Sequence, residues 1–95
     1  MSETFLKDPD EVLDYQFSYQ NELLSGSPVD SISTSAFSVT SGLTVDSDTN
    51  DATTATVWLS GGTAGTNYQV TNTIVTIGGR TIEKSIYIKV RDTAV

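Results

Sequence analysis

Three groups of side chains have types and spacings that bear on chemistry. Asp46, Asp48 and Asn50 alternate like the first three oxygen ligands of a calcium loop, a spacing that lets hard donors converge on one cation. The pattern then fails, because the sixth position is Asp51 where the loop needs glycine, and the twelfth is Val57 where it needs a bidentate glutamate. A solvated turn accounts for these residues, and no metal site or other cofactor is expected. Asp8, Asp10, Glu11 and Asp14 crowd together, but a glycosidase needs two carboxylates about 5 to 9.5 Å apart across a sugar cleft. Nothing in the spacing selects such a pair, and a negatively charged rim at the end of a strand is the simpler reading. Gly61, Gly62 and Gly65 make a glycine-rich loop that lacks the lysine of a phosphate cradle and precedes a strand pattern rather than a helix. It reads as a hairpin connection.

Composition narrows the chemistry further. The 95 residues include no cysteine and no histidine. Disulfides, thiol nucleophiles, imidazole metal ligands and the usual proton shuttle at neutral pH are therefore excluded. No catalytic residue is nominated, and an enzyme is not expected. Five basic against twelve acidic residues give a net charge of −7, which opposes a phosphate backbone, so nucleic acid is not an expected partner. No apolar run approaches the ~20 residues of a membrane-spanning helix. Met1-Ser2-Glu3-Thr4 is acidic and polar, unlike the basic start of a secretory leader, so a soluble protein made in a cytoplasm is expected. The charge is uneven: residues 1–51 hold ten acids and only Lys7, whereas residues 52–95 hold two acids and four bases. A solvated acidic face explains this blandly; complementarity between neighbouring molecules in an assembly is the sharper reading.

The elements that must position these residues read as strands. Leu13, Tyr15, Phe17 and Tyr19 alternate with polar residues from Val12 onward, which places four apolar side chains on one face of a strand. Before them, residues 1–9 are charged and patternless and end at Pro9, reading as an extended N-terminal arm whose removal should leave the domain of residues 10–95 folded. Between Asn21 and Ser27 the chain makes a connection that tucks one of Leu23 and Leu24 inward. Ile32, Thr34 and Ala36 share one phase while Phe37 and Val39 share the other, which implies a bulge or break near Ala36. Leu43 and Val45 open a short strand that ends in the polar turn 46–51. Ala55, Val57 and Leu59 form the inner side of another strand, from which Trp58 faces away, as a closing side chain or an interface residue.

The last two strands permit a deduction about register. Tyr68, Val70 and Ile74 share a face, as do Ile82, Ile86, Ile88 and Val90. A two-residue Gly78-Gly79 loop would oppose Tyr68 to Lys89 and put the isoleucines on the wrong side of the sheet. A three-residue loop, Ile77-Gly78-Gly79, pairs Tyr68 with Ile88, Val70 with Ile86 and Ile74 with Ile82, with Gly79 left-handed in a bulge. Asn72 then falls opposite Lys84 on an apolar face, so both need an edge or polar partners. Six to seven strands with antiparallel connections fit an all-β fold, an immunoglobulin-like sandwich without its cysteine pair.

Several segments together resemble a family of small tailed-bacteriophage virion proteins, the fibre-tail adaptors. They are Lys7-Asp8-Pro9-Asp10 with Leu13-Asp14-Tyr15, Gly42-Leu43-Thr44-Val45, the block Thr56 to Thr66 with Tyr68, Val70, Thr71 and Asn72, and Gly78-Gly79-Arg80-Thr81. The block from Thr56 to Thr66 is the most specific. The sequence departs from the family pattern between Phe17 and Leu24 and at Ser41. The resemblance implies a structural virion protein in the tail or neck, made in the host cytoplasm. It would link fibres to the tail or connector, in many copies, with other tail, connector or fibre subunits as partners. Phe5, Leu6, Asp8, Asp10 and Trp58 are the expected partner contacts. Gly61, Gly62, Gly65, Gly78 and Gly79 are the expected turn formers. A capsid decoration protein, or a carbohydrate- or receptor-binding module stacking sugars on Trp58, Tyr19 or Tyr87, are the alternatives.

Overall fold

The computed structural model describes residues 3–20, 23 and 30–91. Residues 92–95 and Leu24 lie outside them. Among the described residues, seven strands form two packed sheets: β1 (Glu3–Lys7), β2 (Leu13–Ser18), β3 (Ile32–Val39), β4 (Leu43–Asn50), β5 (Thr54–Gly61), β6 (Asn67–Thr76) and β7 (Thr81–Val90). The first sheet runs β1-β7-β6-β3 and the second β2-β5-β4. In an immunoglobulin sandwich the first strand joins the sheet of the second, fourth and fifth. Here it lies on the other sheet, against β7.

The β6–β7 hairpin has the three-residue loop that the apolar pattern demands. Tyr68 pairs with Ile88, Val70 with Ile86, Asn72 with Lys84 and Ile74 with Ile82. The Thr76 N–H reaches the Arg80 carbonyl at 2.8 Å, closing the loop, and Gly79 sits at φ 91°. The inner face of this pair is almost fully buried and meets Tyr15, Phe17, Val57 and Leu59 of the other sheet in one core. Each fully buried aliphatic side chain there contributes roughly 1.5–3 kcal/mol.

Asn72 and Lys84 both find partners across the sandwich. The buried Tyr19 hydroxyl donates to Asn72 Oδ1 at 2.8 Å, and Asn72 Nδ2 donates to Ser35 Oγ at 2.9 Å and the Ala36 carbonyl at 3.1 Å. Lys84 Nζ donates to the Ser18 carbonyl at 2.7 Å and lies 4.9 Å from the centre of the Tyr19 ring. Leu23 is tucked inward, fully buried, with its N–H bonded to the Tyr19 carbonyl at 2.9 Å.

Five expectations need correction. The pairing is not purely antiparallel, since β1 runs parallel to β7 from Glu3↔Ile86 to Lys7↔Val90. Residues 3–7, expected as an arm, are thus a strand of the sheet; the inward Lys7 hides the alternation that would have shown it. The bulge in β3 lies between Ile32 and Thr34, upstream of Ala36. One extra residue there switches the phase, so that Ile32 and then Ser35, Phe37 and Val39 face inward.

The polar stretch after Val45 is strand as far as Asn50, with a bulge between Val45 and Ser47. An edge strand can be polar on both faces because its ladder to β5 needs only backbone. The turn follows at Asp51, whose Oδ1 accepts the N–H groups of Thr53 and Thr54 at 2.9 and 2.8 Å. Finally, the loop after Gly61 is a crossover between sheets, because β5 and β6 belong to different ones. At Gly62, φ is 97° and a Cβ would come within 2.7 Å of Val90 Cγ2, so the loop can close over the core only with glycine there.

Asp30 pins the far end of the β6–β7 hairpin. Its Oδ1 accepts the N–H of Gly78 and of Ser31, both at 2.9 Å, and its Oδ2 meets Arg80 at 2.8 Å. A Cβ on Gly78 would stand 2.8 Å from that carboxylate, so glycine here makes room for the anion. The Thr76 hydroxyl and the Gly78 N–H hold the Asp30 carboxyl down to about 2 from its ordinary 3.8, with Ser31 and Arg80 adding to the effect. Because the folded state favours the anion, the stabilisation is present above the unfolded value and is lost as pH falls through about 2. Urea unfolding followed between pH 5 and 2 is expected to show a steeper loss of stability in the wild type than in Asp30→Asn.

Candidate partner-contact surface

The expected contact residues near the N-terminus divide into anchors and exposed groups once β1 is placed. Phe5 and Lys7 share the inward phase of the strand. Phe5 is half-buried, with its ring 5.1 Å from that of Tyr15. The Tyr15 hydroxyl is buried and has no hydrogen-bond partner among the described residues. Burial pushes its pKa up, and Glu11 and Asp14 add to the shift.

Lys7 is fully buried, and its ammonium donates to the carbonyls of Gly61 at 2.8 Å and Asp8 at 3.0 Å. A buried cation requires such acceptors. Lys7 therefore ties the β1 edge to the end of β5. Sequence reasoning missed this role, and the only signal was the shared phase of Phe5 and Lys7.

Asp8 is buried as well and organises the turn from β1 into β2. Its Oδ1 accepts the Asp10 N–H at 2.9 Å, and its own N–H donates to Glu11 Oε1 at 2.8 Å. Its carboxylate serves the chain's own backbone. Asp10 is exposed.

Leu6 has the opposite phase and is 56% exposed on the outer face of the four-stranded sheet, in register with Lys89 and close to exposed Tyr87. Trp58 is 42% exposed at the middle of the three-stranded sheet, with Asp14 on β2 and Ser47 on β4 beside it in register. These two apolar points lie on opposite faces of the sandwich and do not form one site.

Folding turns the uneven sequence charge into a difference between sheets. The strands of the three-stranded sheet carry Asp14, Asp46 and Asp48 and no lysine or arginine. Lys7, Lys84 and Lys89 all lie on the other sheet. A shallow cleft of about 210 Å³ opens between β2 and β7, lined by Glu3, Gln16, Phe17, Ser18, Lys84, Ser85 and Ile86. Asp46, first of the three residues with calcium-loop spacing, accepts a hydrogen bond from Ser60 Oγ at 2.7 Å. Among the described residues, no three acidic side chains gather in a way that could hold a metal ion.

Two packed sheets, a surface rich in serine, threonine and acid, and isolated exposed apolar side chains define a small all-β sandwich domain. The sequence model of the family described as Gp77, "Podophage GP4 fiber-tail adaptor protein gp77", matches residues 7–89. The chain belongs to this phage fibre-tail adaptor family. The match begins at the buried Lys7 and ends one residue short of the last residue of β7, so it takes in nearly the whole sandwich. No curated protein matches the chain significantly.

Burial predicts opposite outcomes for two changes at this surface. Trp58→Ala, at a partly exposed position, is expected to cost less than the roughly 3–5 kcal/mol lost when a fully buried tryptophan is truncated. Removing residues 1–9 strips β1 from β7, withdraws Phe5 from Tyr15 and leaves the Gly61 carbonyl without its ammonium. Thermal melts by circular dichroism are expected to show a larger drop for this truncation than for Leu6→Ala.

Proposed function

We propose that this chain is a non-enzymatic structural adaptor in the tail of a podophage virion, joining tail fibres to the tail or connector in several copies. The observation that supports the reading is the family match across nearly the whole sandwich. The surface supports it. Leu6, Tyr87 and Trp58 are among the large exposed apolar side chains, with Val12, Val75 and Ile77, and aromatic residues in such settings are favoured anchors of protein interfaces. Their positions on opposite faces suit a body held between two neighbours.

In this reading Leu6 and Trp58 make the partner contacts, Phe5 and Asp8 hold β1 and its turn in place, and Asp10 lies at the rim. Electron cryomicroscopy of virions containing the chain is the direct test. Density between the tail and its fibres, and particles without fibres when the gene is disrupted, are the expected results. Density spread over the capsid lattice would replace this reading with that of a decoration protein.

A further inference from the structure

The sandwich has four edge strands, β1 and β3 in one sheet and β2 and β4 in the other. A free edge presents unpaired backbone N–H and C=O groups to any passing strand, and charges placed on it discourage pairing. Three of the four edges carry such charges: Glu3 on β1, Asp14 on β2, and Asp46 and Asp48 on β4, which also has a bulge. The fourth, β3, reads Ile-Ser-Thr-Ser-Ala-Phe-Ser-Val and has neither charge nor proline.

Past its early bulge, β3 pairs regularly with β6 from Thr34 to Val39. This leaves roughly 20 Å of regular backbone on its other side, at about 3.3 Å per residue. Among the described residues, no strand pairs with that side. The outward side chains Thr34, Ala36 and Ser38 are small and exposed. A second observation points the same way. Phe37 and Val39 on β3 and Val45 on β4 are only half-buried along this flank of the core and would gain cover from a further strand.

We infer that β3 is an acceptor edge, to which an extended segment of a neighbouring virion protein adds as a fifth strand of the β1-β7-β6-β3 sheet. Backbone pairing sets the chemistry of the segment: extended, free of proline, and uncharged where it meets Thr34 to Val39. The adjoining edge sets its flanks. Asp48 shares the core-facing side of β4 with Val45, being in register with Val57 as Val45 is with Leu59. Together with Asp46 it makes this margin acidic, so the donated segment carries lysine or arginine beside its neutral stretch. The same acids oppose the alternative of β3 pairing with β3 of a second copy, because a two-fold axis would bring both acidic margins to one junction.

The inference rests on the proposed place of the chain in the virion, and the test separates the two. A photo-crosslinking amino acid is placed at Ala36 in the full chain, virions are assembled and irradiated, and the adduct is mapped by mass spectrometry. In parallel, incorporation of Ala36→Lys and Ala36→Ser into virions is measured by immunoblot, and the melting temperature of each purified chain is recorded. The expected results are an adduct on an extended, basic-flanked segment of another virion protein, at least tenfold lower incorporation of Ala36→Lys at unchanged melting temperature, and normal incorporation of Ala36→Ser. A chain present in virions with no adduct, or with normal incorporation of Ala36→Lys, overturns the acceptor edge and leaves the adaptor reading standing. An adduct to a second copy overturns the donated segment in favour of self-pairing. Absence of the wild-type chain from virions overturns the adaptor reading itself.

Discussion

The register of β6 against β7 is the constraint on which the rest of the sandwich depends. These two strands lie in the middle of the four-stranded sheet, so β1 can join only along β7 and β3 only along β6. A slip of one residue would turn one strand over relative to the other, sending either Val70 and Ile74 or Ile86 and Ile88 to solvent. The short loop from Ile77 to Gly79 sets this register, and Asp30 guards it from outside by binding the Gly78 N–H and Arg80. A carboxylate more than forty residues away in sequence thus stabilises a turn whose geometry orders two edges.

That geometry has a polar counterpart inside. A hairpin in this register must put Asn72 and Lys84 on the face that packs against the second sheet. The structure accommodates them by bringing Tyr19 to Asn72 and the Ser18 carbonyl to Lys84. The same links tie the end of β2 to the opposite sheet. Unpaired buried polar groups are costly, so these bonds select one way for the sheets to lie over each other and discriminate against slid arrangements of similar apolar burial. Lys7 does the same at the other margin, where its ammonium joins β1 to the carbonyl of Gly61 at the end of β5, just before the chain passes between sheets.

The consequence for function is a rigid body with differentiated sides. One sheet offers Trp58 among acids and hydroxyls; the other offers Leu6 and Tyr87 beside Lys89. Of the edges, three are guarded by charge and β3 is not. In the proposed role the chain holds two neighbours at once without aggregating alone, and a surface with a few defined apolar or unpaired points suits that requirement.

Local pattern alone determined the all-β class, the inward faces of β2, β5, β6 and β7, the three-residue loop and the exposure of Trp58, because alternation with period two and glycine at a turn act between near neighbours. The resemblance carried by the block from Thr56 to Thr66 also pointed to the family. Pattern did not show which strands share a sheet. It read the crossover at Gly61 and Gly62 as a hairpin, since a glycine-rich loop looks alike whether the next strand returns to the same sheet or passes to the other. It took residues 3–7 for an arm, since a lysine on the inner phase looks like solvated charge until the carbonyls that receive it are placed. It ended β4 at Val45, since an edge strand held by backbone bonds needs no apolar alternation. Those outcomes were decided by tertiary structure, because each depends on acceptors, donors or sheet neighbours supplied by residues far away in the chain.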